Sequence, residues 1–462
     1  MKIAETFAQM VHNLQYQDLS EEVIDRTKYL ALDFIGLAAR GSQFESSKPI
    51  HDFIRTHGGQ GKGIIIGAQD LSPLPQYAAL ANGSASHSLE LDDVINEASL
   101  HPAVAVFPAA FALADAYEKS GEDLIVASVI GYEVMGQLGR ALNPSSVYAR
   151  GFHPTGVVGA VAAAATASKL MGLTYEQTVN ALGIVGSQAA ASMEFLNTGS
   201  WTKRLHPGWA AHNGIIAAEL AKAGFTGPNS IIEGDKGFAK AYSGELNVGS
   251  LTGRYLNEDN FILKSSIKPH ACCRYKQGPL DLILEMVKSL DLKPGDIEKI
   301  NVFIVQTGLP IVAQPEEEKR NPQSTVDAQF SMHFGAAAAV IYRNTLLEQY
   351  DDLVVALPEV KEMMKKVYCF RDEELEKEFP KKWPARVEIE TTKGTFSNRI
   401  DYPKGDPENP LSWEEMITKF NYVTAPVFDQ KQQLQLVKGV RTIENFHKVS
   451  EFSVLLKGGV FA

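Results

Sequence analysis

The sequence predicts a mainly α-helical protein, in which a large all-helical domain is built from both chain ends and a smaller α+β domain is inserted between them. Apolar residues recur at helical spacing through the first half of the chain, and the helical pattern returns from about residue 411. Between these regions, after about residue 265, β-branched residues alternate as they do in strands. We therefore predict a helical domain from residues 1–266 and 404–462 and an α+β domain from residues 267–403.

The helices of the first half are predicted from apolar spacing and from capping residues. Ser20 can cap a helix that runs to Gly41. Six more helical patterns follow, at about 73–93, 103–118, 122–141, 156–171, 173–194 and 208–224. Several of them are rich in Ala, Gly and Ser, which favours helices that pack closely in a core.

The inserted segment carries the predicted β structure. Lys299 to Gln306 alternates and is β-branched, as a strand should be. A helix is predicted at about 325–342. Residues 385–392 and 394–402 predict a hairpin that turns at Lys393-Gly394.

Composition and charge disfavour several classes of protein. With 462 residues, 45% of them apolar and 21% charged, the chain has the length of two or three domains and an ordinary globular composition. Its net charge, 44 − 55 = −11, disfavours binding to nucleic acid. Three cysteines provide no disulfide framework, and we recognise neither a secretory signal nor a membrane span. We expect a cytoplasmic protein without nucleic-acid or membrane partners.

The first polar cluster is HSLELDDVINEASLHP, residues 87–102. The helix predicted over it places His87, Glu90 and Asp93 on one face. His101 is predicted to lie on a loop, because Pro102 disfavours helix at the residue before it. Carboxylates and a histidine can together move protons near neutral pH. No tight ligand spacing such as HExxH is present, so we predict no metal site; a solvated helix end is the alternative interpretation.

Two further clusters are predicted to lie just before helix starts. His153 precedes a helix with Pro154 in its first turn, where backbone N–H groups favour an anion. Lys203, Arg204 and His206 form a compact basic group in an acidic chain, as a di- or tricarboxylate ligand would require. The alternatives are a histidine that satisfies a buried turn and a basic loop paired with surface carboxylates.

A fourth cluster, IKPHACCRYKQG, lies at the boundary of the inserted domain. His270 and Arg274 add positive charge there. Cys272 and Cys273 are too few for an iron–sulfur cluster, and we interpret them as buried, inert thiols. No Walker A, Rossmann or GxSxG motif stands out, which disfavours a nucleotide cofactor and a serine-hydrolase mechanism. Together the clusters predict a site for an anionic substrate that uses neither metal nor cofactor.

At these clusters the sequence resembles the MmgE/PrpD family, which includes 2-methylcitrate dehydratase, cis-aconitate decarboxylase and iminodisuccinate epimerase. The matching stretches are NGSASHSLELDD, GFHPTG, TKRLHPGWAAHNG, EGDKGF and KPHACCR. The resemblance implies that the inserted domain is a lid, that the chain forms a homodimer, and that catalysis needs no cofactor. It also implies active-site roles for His101, His153 and Lys203, and a position at or next to a lid-side histidine for His270.

The predicted function is that of a lyase that dehydrates or decarboxylates a small di- or tricarboxylate, such as 2-methylcitrate or cis-aconitate, through an enolate-like anion. An epimerase acting on a dicarboxylate such as iminodisuccinate is the alternative. A catalytically silent carboxylate-binding homologue is a third possibility, because Val94 and Phe334 stand where the decarboxylases carry hydroxyl groups. We assign catalysis to His101, His153 and Lys203. We assign substrate binding to Glu90, Asp93, Arg204, His206, His270 and Arg274.

Overall fold

The computed structural model describes residues 2–251, 255, 260–379 and 381–458 and is mainly helical, with about 60% helix and a small sheet. The chain divides into two compact units. The first consists of Met1–Ser88, Asp92–Ser265 and Ser412–Ala462, and the second of Leu89–Leu91 and Ser266–Leu411. Among the described residues, no helix combines the length and the apolar character that a bilayer crossing requires. The boundaries at residues 267 and 403 and the role of the second unit as a lid stay predictions.

The first unit is built from helices that come from both ends of the chain, with one two-residue strand, β1 (Val94–Ile95). Its helices are α1 (Ile3–Asn13), α2 (Glu21–Gly41), α3 (Lys48–His57), α4 (Pro75–Ser86), α5 (Ala103–Ala116), α6 (Gly121–Ala141), α7 (Pro144–Ala149), α8 (Pro154–Leu170), α9 (Tyr175–Val185), α10 (Thr202–Lys222), α11 (Phe238–Tyr242), α20 (Trp413–Thr424), α21 (Gln430–Arg441) and α22 (Val449–Ser453).

Side-chain caps fix where several of these helices begin. The hydroxyl of Ser20 accepts a hydrogen bond from the Val23 N–H at the start of α2, as predicted. Ser120, Thr174 and Ser412 cap α6, α9 and α20 in the same way. Each cap satisfies one of the N–H groups that a helix start leaves without a partner, which contributes about 1 kcal/mol.

Small residues let α10 lie close against α4 and α8. A Cβ atom added at Gly208 of α10 would overlap the Leu80 carbonyl oxygen and the Ser84 hydroxyl of α4. A Cβ atom at Gly156 of α8 would lie 2.5 Å from Ala191 Cβ and 3.1 Å from His206 Cβ. The Ala- and Gly-rich segments therefore form a close-packed helical core, as predicted.

The second unit combines short helices with a four-stranded sheet. Its helices are α12 (Gln277–Ser289), α13 (Leu309–Val312), α14 (Glu316–Lys319), α15 (Thr325–Gln329), α16 (Met332–Tyr342), α17 (Asp352–Val355), α18 (Pro358–Met364) and α19 (Glu373–Glu376). Its strands are β2 (Ser265–Ser266, which begins at the last residue of the first unit), β3 (Ile297–Ile304), β4 (Val367–Arg371), β5 (Ala385–Thr391) and β6 (Gly394–Ile400).

The sheet has the order β4-β3-β5-β6, in which β3 and β4 are parallel and the other two pairs are antiparallel. Alternate side chains of β5 are buried, whereas those of β6 are mostly exposed. The predicted hairpin is confirmed, but its turn is Thr392-Lys393 and not Lys393-Gly394, because Gly394 already pairs with Thr391. Gly394 has a φ of +126°, a backbone conformation that glycine adopts without strain.

Four predicted helices have different bounds in the structure. The helix predicted at 73–93 ends at Ser86, and Glu90 then adopts a φ of +55°, which no helix accommodates. The helix predicted at 173–194 ends at Val185. The one predicted at 208–224 begins at Thr202 and contains Pro207.

The helix predicted at 325–342 is two helices, because the Ser331 backbone is extended and its hydroxyl caps the second of them. In these four cases apolar spacing indicated the helix, but local capping and backbone geometry set its ends.

The close contact between α10 and α4 predicts the effect of one added methyl group. We expect Gly208→Ala to lower the free energy of unfolding by about 1–3 kcal/mol, because the Cβ atom would meet backbone and hydroxyl atoms that cannot move apart cheaply. Gly295→Ala is the control, since a Cβ atom there would meet nothing within 4 Å. Thermal unfolding midpoints of both variants measure the difference. Equal midpoints would show that the helices are not closely packed at Gly208.

Candidate active site

Four histidine side chains of the first unit lie side by side in a row. The ring centroids of His101 and His87 are 5.3 Å apart, those of His87 and His153 are 5.6 Å apart, and those of His153 and His206 are 5.4 Å apart. We call these four residues the histidine row. The structure thus brings together three of the residues that the sequence assigned to the site, namely His101, His153 and His206.

Each member of the histidine row stands at a helix end or near one. His87 is the residue that ends α4, and His101 lies on the loop before α5, as predicted. His153 occupies the N-cap position of α8, with Pro154 following it, which is also as predicted. His206 lies on α10. The row therefore exists because α4, α8 and α10 pack closely together.

A buried carboxylate joins the first two histidines. Oδ2 of Asp92 lies 2.7 Å from Nδ1 of His87 and 3.3 Å from Nδ1 of His101. Asp92 and His87 are both inaccessible to solvent, whereas 14% of the His101 side chain is exposed. Burying a carboxylate is costly unless donors surround it; His87 supplies one, and His101 lies within ion-pair distance.

The protonation of His101 follows from its partner. Nδ1 of His101 lies 2.5 Å from the backbone carbonyl oxygen of Asp93. A carbonyl oxygen only accepts hydrogen bonds, so Nδ1 carries the hydrogen. In the neutral ring Nε2 is therefore the basic nitrogen. The His101 backbone N–H donates to the Thr155 hydroxyl at 3.2 Å, which fixes the residue between the loop and α8.

The side chain of Asp93 holds the start of α5. Its carboxyl accepts from the Ala103 N–H at 3.0 Å and from the Tyr132 hydroxyl at 2.8 Å. Burial raises the pKa of Asp93 to about 8. These contacts give Asp93 a structural role. The predicted helix face of His87, Glu90 and Asp93 is wrong, because the helix has already ended at Ser86.

His153 and His206 form the inner end of the histidine row. Their Nδ1 atoms are 3.2 Å apart, so one ring donates to the other. Burial lowers the pKa of His153 well below its usual value and lowers that of His206 to about 4, and the neighbouring imidazoles and the Lys203 ammonium add to both effects. Both rings are therefore neutral at pH 7.

Lys203, Arg204 and His206 lie within α10, not on a loop before a helix start, which corrects the prediction from sequence. The helix begins at Thr202 and continues through Pro207, a residue that a sequence pattern treats as a boundary. Lys203 and His206 are three residues apart and so lie on neighbouring positions of one helix face. Arg204 donates to the Ser46 hydroxyl at 3.0 Å.

A cavity of about 550 Å³ lies beside the inner end of the histidine row. His206 forms part of its wall, and the remainder is mostly small or apolar. Its lining residues are Ala190, Ala191, Ser192, Glu194, Phe195, Thr198, Ser200, Thr202, Leu205, His206 and Trp209. None of these described residues is a lysine or an arginine, so this cavity alone does not provide the cations that a polycarboxylate requires.

The other predicted binding residues belong to the second unit. Glu90 is buried there, and Lys268 donates to its carbonyl oxygen at 3.3 Å. Nδ1 of His270 lies 2.7 Å from the Thr345 hydroxyl, and its Nε2 lies 2.9 Å from the Asp281 carboxylate.

Arg274 donates to both carboxylate oxygens of Asp406, at 2.6 and 2.7 Å. These contacts stabilise the second unit internally, and the assignment of Glu90, His270 and Arg274 to substrate binding stays a prediction.

Two further predictions concern the cysteine thiols and a metal site. Cys272 and Cys273 are buried, as expected, and burial raises the pKa of the Cys272 thiol to about 11, which makes it unreactive. Within the described ranges, no three His, Cys, Asp or Glu side chains are arranged to hold a metal ion.

Sequence reasoning missed the pair of His87 and Asp92. His87 entered only as a member of a helix face, and Asp92 was not singled out. The available signal was the short HSLELDD segment itself, because a histidine and an aspartate five residues apart can meet where a helix ends in a turn. A continuous helix over this segment would have kept them apart.

Comparisons with known proteins identify similar sequences over nearly the whole chain. The MmgE/PrpD N-terminal domain matches residues 5–249, and the MmgE/PrpD C-terminal domain matches residues 270–444. Cis-aconitate decarboxylase from Homo sapiens is 29% identical, over 99% of this chain and 95% of that protein. Cis-aconitate decarboxylase-like protein oryM from Aspergillus oryzae is 28% identical over 97% and 96%. Cis-aconitate decarboxylase from Aspergillus terreus is 28% identical over 96% and 94%.

Fold and site together define a mainly helical protein in which four histidines and a buried carboxylate lie side by side. The chain belongs to the MmgE/PrpD family. The resemblance that the sequence motifs indicated is thereby confirmed.

The lowered pKa values predict how stability changes with pH. An unfolded histidine binds a proton below about pH 6.5, whereas folded His206 does so only near pH 4. Stability therefore falls as the pH decreases through this interval, by at most about 1.4 kcal/mol per pH unit for each such group. We expect His206→Gln to lose less stability than the wild type between pH 6.5 and 4.5.

Thermal unfolding midpoints measured across this interval test the prediction. The exposed His447, changed to Gln, is the matched control and should behave as the wild type does. An identical loss in all three proteins would contradict the neutral, buried state of His206.

Proposed function

We propose that this chain is a lyase that acts on a small di- or tricarboxylate by decarboxylation or dehydration, with proton transfer at Nε2 of His101. The observation that carries the proposal is the hydrogen bond from Nδ1 of His101 to the Asp93 carbonyl oxygen, 2.5 Å long. It leaves Nε2 as the basic nitrogen of His101. Of the two histidines that contact Asp92, His101 is the one whose side chain is partly exposed.

His153 and Lys203 are proposed to hold the substrate and to stabilise its charge. The low pKa of His153 keeps its ring neutral, and its Nε2 makes no hydrogen bond within the described residues, so it suits a contact with a substrate oxygen. The ammonium of Lys203 lies close enough to His153 and His206 to lower the pKa of both. A fixed cation there would stabilise the negative charge that develops next to a substrate carboxylate. Arg204 and His206 lie on the same helix.

The same atoms support both proposed reactions. In a decarboxylation, the carbon–carbon bond to the departing carboxylate breaks, its electron pair stays on the substrate as an enolate-like anion, and protonated His101 delivers a proton to carbon. In a dehydration, neutral His101 removes the proton next to a carboxylate, the carbon–oxygen bond breaks with its electron pair on oxygen, and the hydroxyl takes that proton back from His101 and leaves as water. The names of the similar proteins favour decarboxylation of cis-aconitate as the first reaction to test.

Two positions differ from those of the decarboxylases that the sequence resembles, and these differences argue for a broad substrate class. Val94 and Phe334 are apolar and buried, where those enzymes carry hydroxyl groups. When a site lacks a hydroxyl donor, the substrate oxygen that would have accepted its hydrogen bond is bound less favourably by about 1–3 kcal/mol. 2-Methylcitrate is therefore proposed beside cis-aconitate. The homodimer, the absence of any cofactor and the lid role of the second unit remain proposals from the family resemblance.

The proposal predicts that turnover depends on His101. We expect wild-type protein to convert cis-aconitate or 2-methylcitrate, and His101→Asn to lower kcat by about 10²–10⁴-fold because the transferred proton loses its carrier. His447→Asn, on the exposed surface, is the control and should keep full activity. ¹H NMR in heavy water measures both product formation and exchange of substrate protons.

The same experiment separates the alternatives. Inversion of iminodisuccinate with deuterium uptake and without loss of carbon dioxide or water would indicate an epimerase. Binding of these acids without exchange or turnover would indicate a silent carboxylate-binding protein. Full activity of His101→Asn would contradict the assignment of proton transfer to this residue.

A further inference from the structure

Asp92 and His87 neither hold the substrate nor transfer its proton in the proposed reaction, although both are completely buried beside His101. Nδ1 of His87 donates to Oδ2 of Asp92 at 2.7 Å, since a carboxylate accepts and does not donate. The same oxygen lies 3.3 Å from Nδ1 of His101. One carboxylate oxygen therefore serves two imidazoles.

We propose that Asp92 and His87 are positioning residues for proton transfer at His101. The Asp93 carbonyl oxygen already holds the hydrogen on Nδ1; Asp92 stabilises the protonated form of His101, and His87 limits that stabilisation by sharing the same carboxylate oxygen. This inference rests on the proposed role of His101. It gives a reason for the complete burial of a carboxylate and an imidazole at these two positions.

The charge balance around His101 supports this role for Asp92. Asp93 is next to it in sequence, but its carboxyl is bound by Ala103 and Tyr132, and its pKa near 8 leaves it largely protonated at pH 7. Asp92 is therefore the carboxyl group whose charge can act on His101. The titratable groups near His101 include Asp92 and Asp93 on its own segment, His87 after α4 and His153 on α8. Tyr132 of α6 contacts the Asp93 carboxyl, and Lys203 of α10 acts on His153.

The contact of one carboxylate with two rings has a chemical consequence. If Asp92 bound His101 alone, a buried ion pair would form as soon as His101 took a proton, and the proton would be difficult to release. The hydrogen bond from His87 already stabilises the carboxylate, so the attraction between Asp92 and protonated His101 is weaker. Nε2 of His87 has no hydrogen-bond partner among the described residues, so Asp92 is the one described hydrogen-bond partner of this ring.

Opposite shifts are predicted for two variants. Asp92→Asn removes the negative charge beside Nδ1 and should lower the pKa of His101 by about one unit or more. His87→Phe removes the competing donor, leaves the carboxylate to His101 alone, and should raise the pKa of His101. A residue that only fills space would not shift the pKa of His101 in opposite directions when these two groups are removed. The matched control is Asp115→Asn, another buried carboxyl group, on α5, which should leave the pKa of His101 unchanged.

The experiment is a titration of the full chain labelled with ¹⁵N-histidine, in which NMR reports the tautomer and the pKa of each ring. His101 signals are identified by their loss in His101→Asn. We expect the Nδ1–H tautomer in the wild type and the two opposite shifts in the variants. An Nε2–H tautomer in the wild type would overturn the proposal, and so would an unshifted His101 in both variants. Since one variant suffices to show a shift and the wild type alone reveals the tautomer, misfolding of one variant does not prevent a decision.

Proton binding and turnover can fail independently. If the titration behaves as predicted but no polycarboxylate is converted, the positioning of His101 stands and the proposed substrate class is wrong. If the chain is an active lyase but His101 does not respond to Asp92, this inference is wrong and the proposed function stands.

Discussion

The close packing of α10 against α4 and α8 is the constraint on which the site depends. Gly208 and Gly156 allow these helices to approach until backbone atoms meet side chains directly. His87 ends α4, His153 begins α8 and His206 lies on α10. A looser packing of the helices would separate their rings, so the small residues of the core determine the spacing of the histidine row.

Burial then sets the chemical state of each ring. Neutral imidazoles at His153 and His206 result from desolvation, strengthened by neighbouring rings and by the Lys203 ammonium. At the other end, the carboxylate of Asp92 favours a proton on the side of His101 that faces it. If His101 carries the proton as proposed, one end of the row transfers it while the other end supplies neutral hydrogen-bonding groups.

Much of this could be predicted from the sequence, and the exceptions have physical reasons. Apolar spacing predicted most helices and the hairpin, and motif spacing indicated His101, His153 and His206 as a group. The pair of His87 and Asp92 could not be predicted from a helix that continued to residue 93. The two side chains meet because the chain turns after Ser86 and Glu90 has a positive φ. Likewise, Pro207 concealed that Lys203 lies on a helix, and the apolar pattern gave no sign of Ser331 as a cap.

The most direct test of the account is a crystal structure of the full chain with cis-aconitate or 2-methylcitrate bound. A carboxylate of the ligand is expected within hydrogen-bond distance of Lys203 and His153, with a substrate carbon next to Nε2 of His101. The competing location is the cavity of about 1260 Å³ along α20 and α21, whose lining includes Lys438 and Arg441. A ligand bound there, with the histidine row unoccupied, would contradict the claim that these four imidazoles form the reaction site.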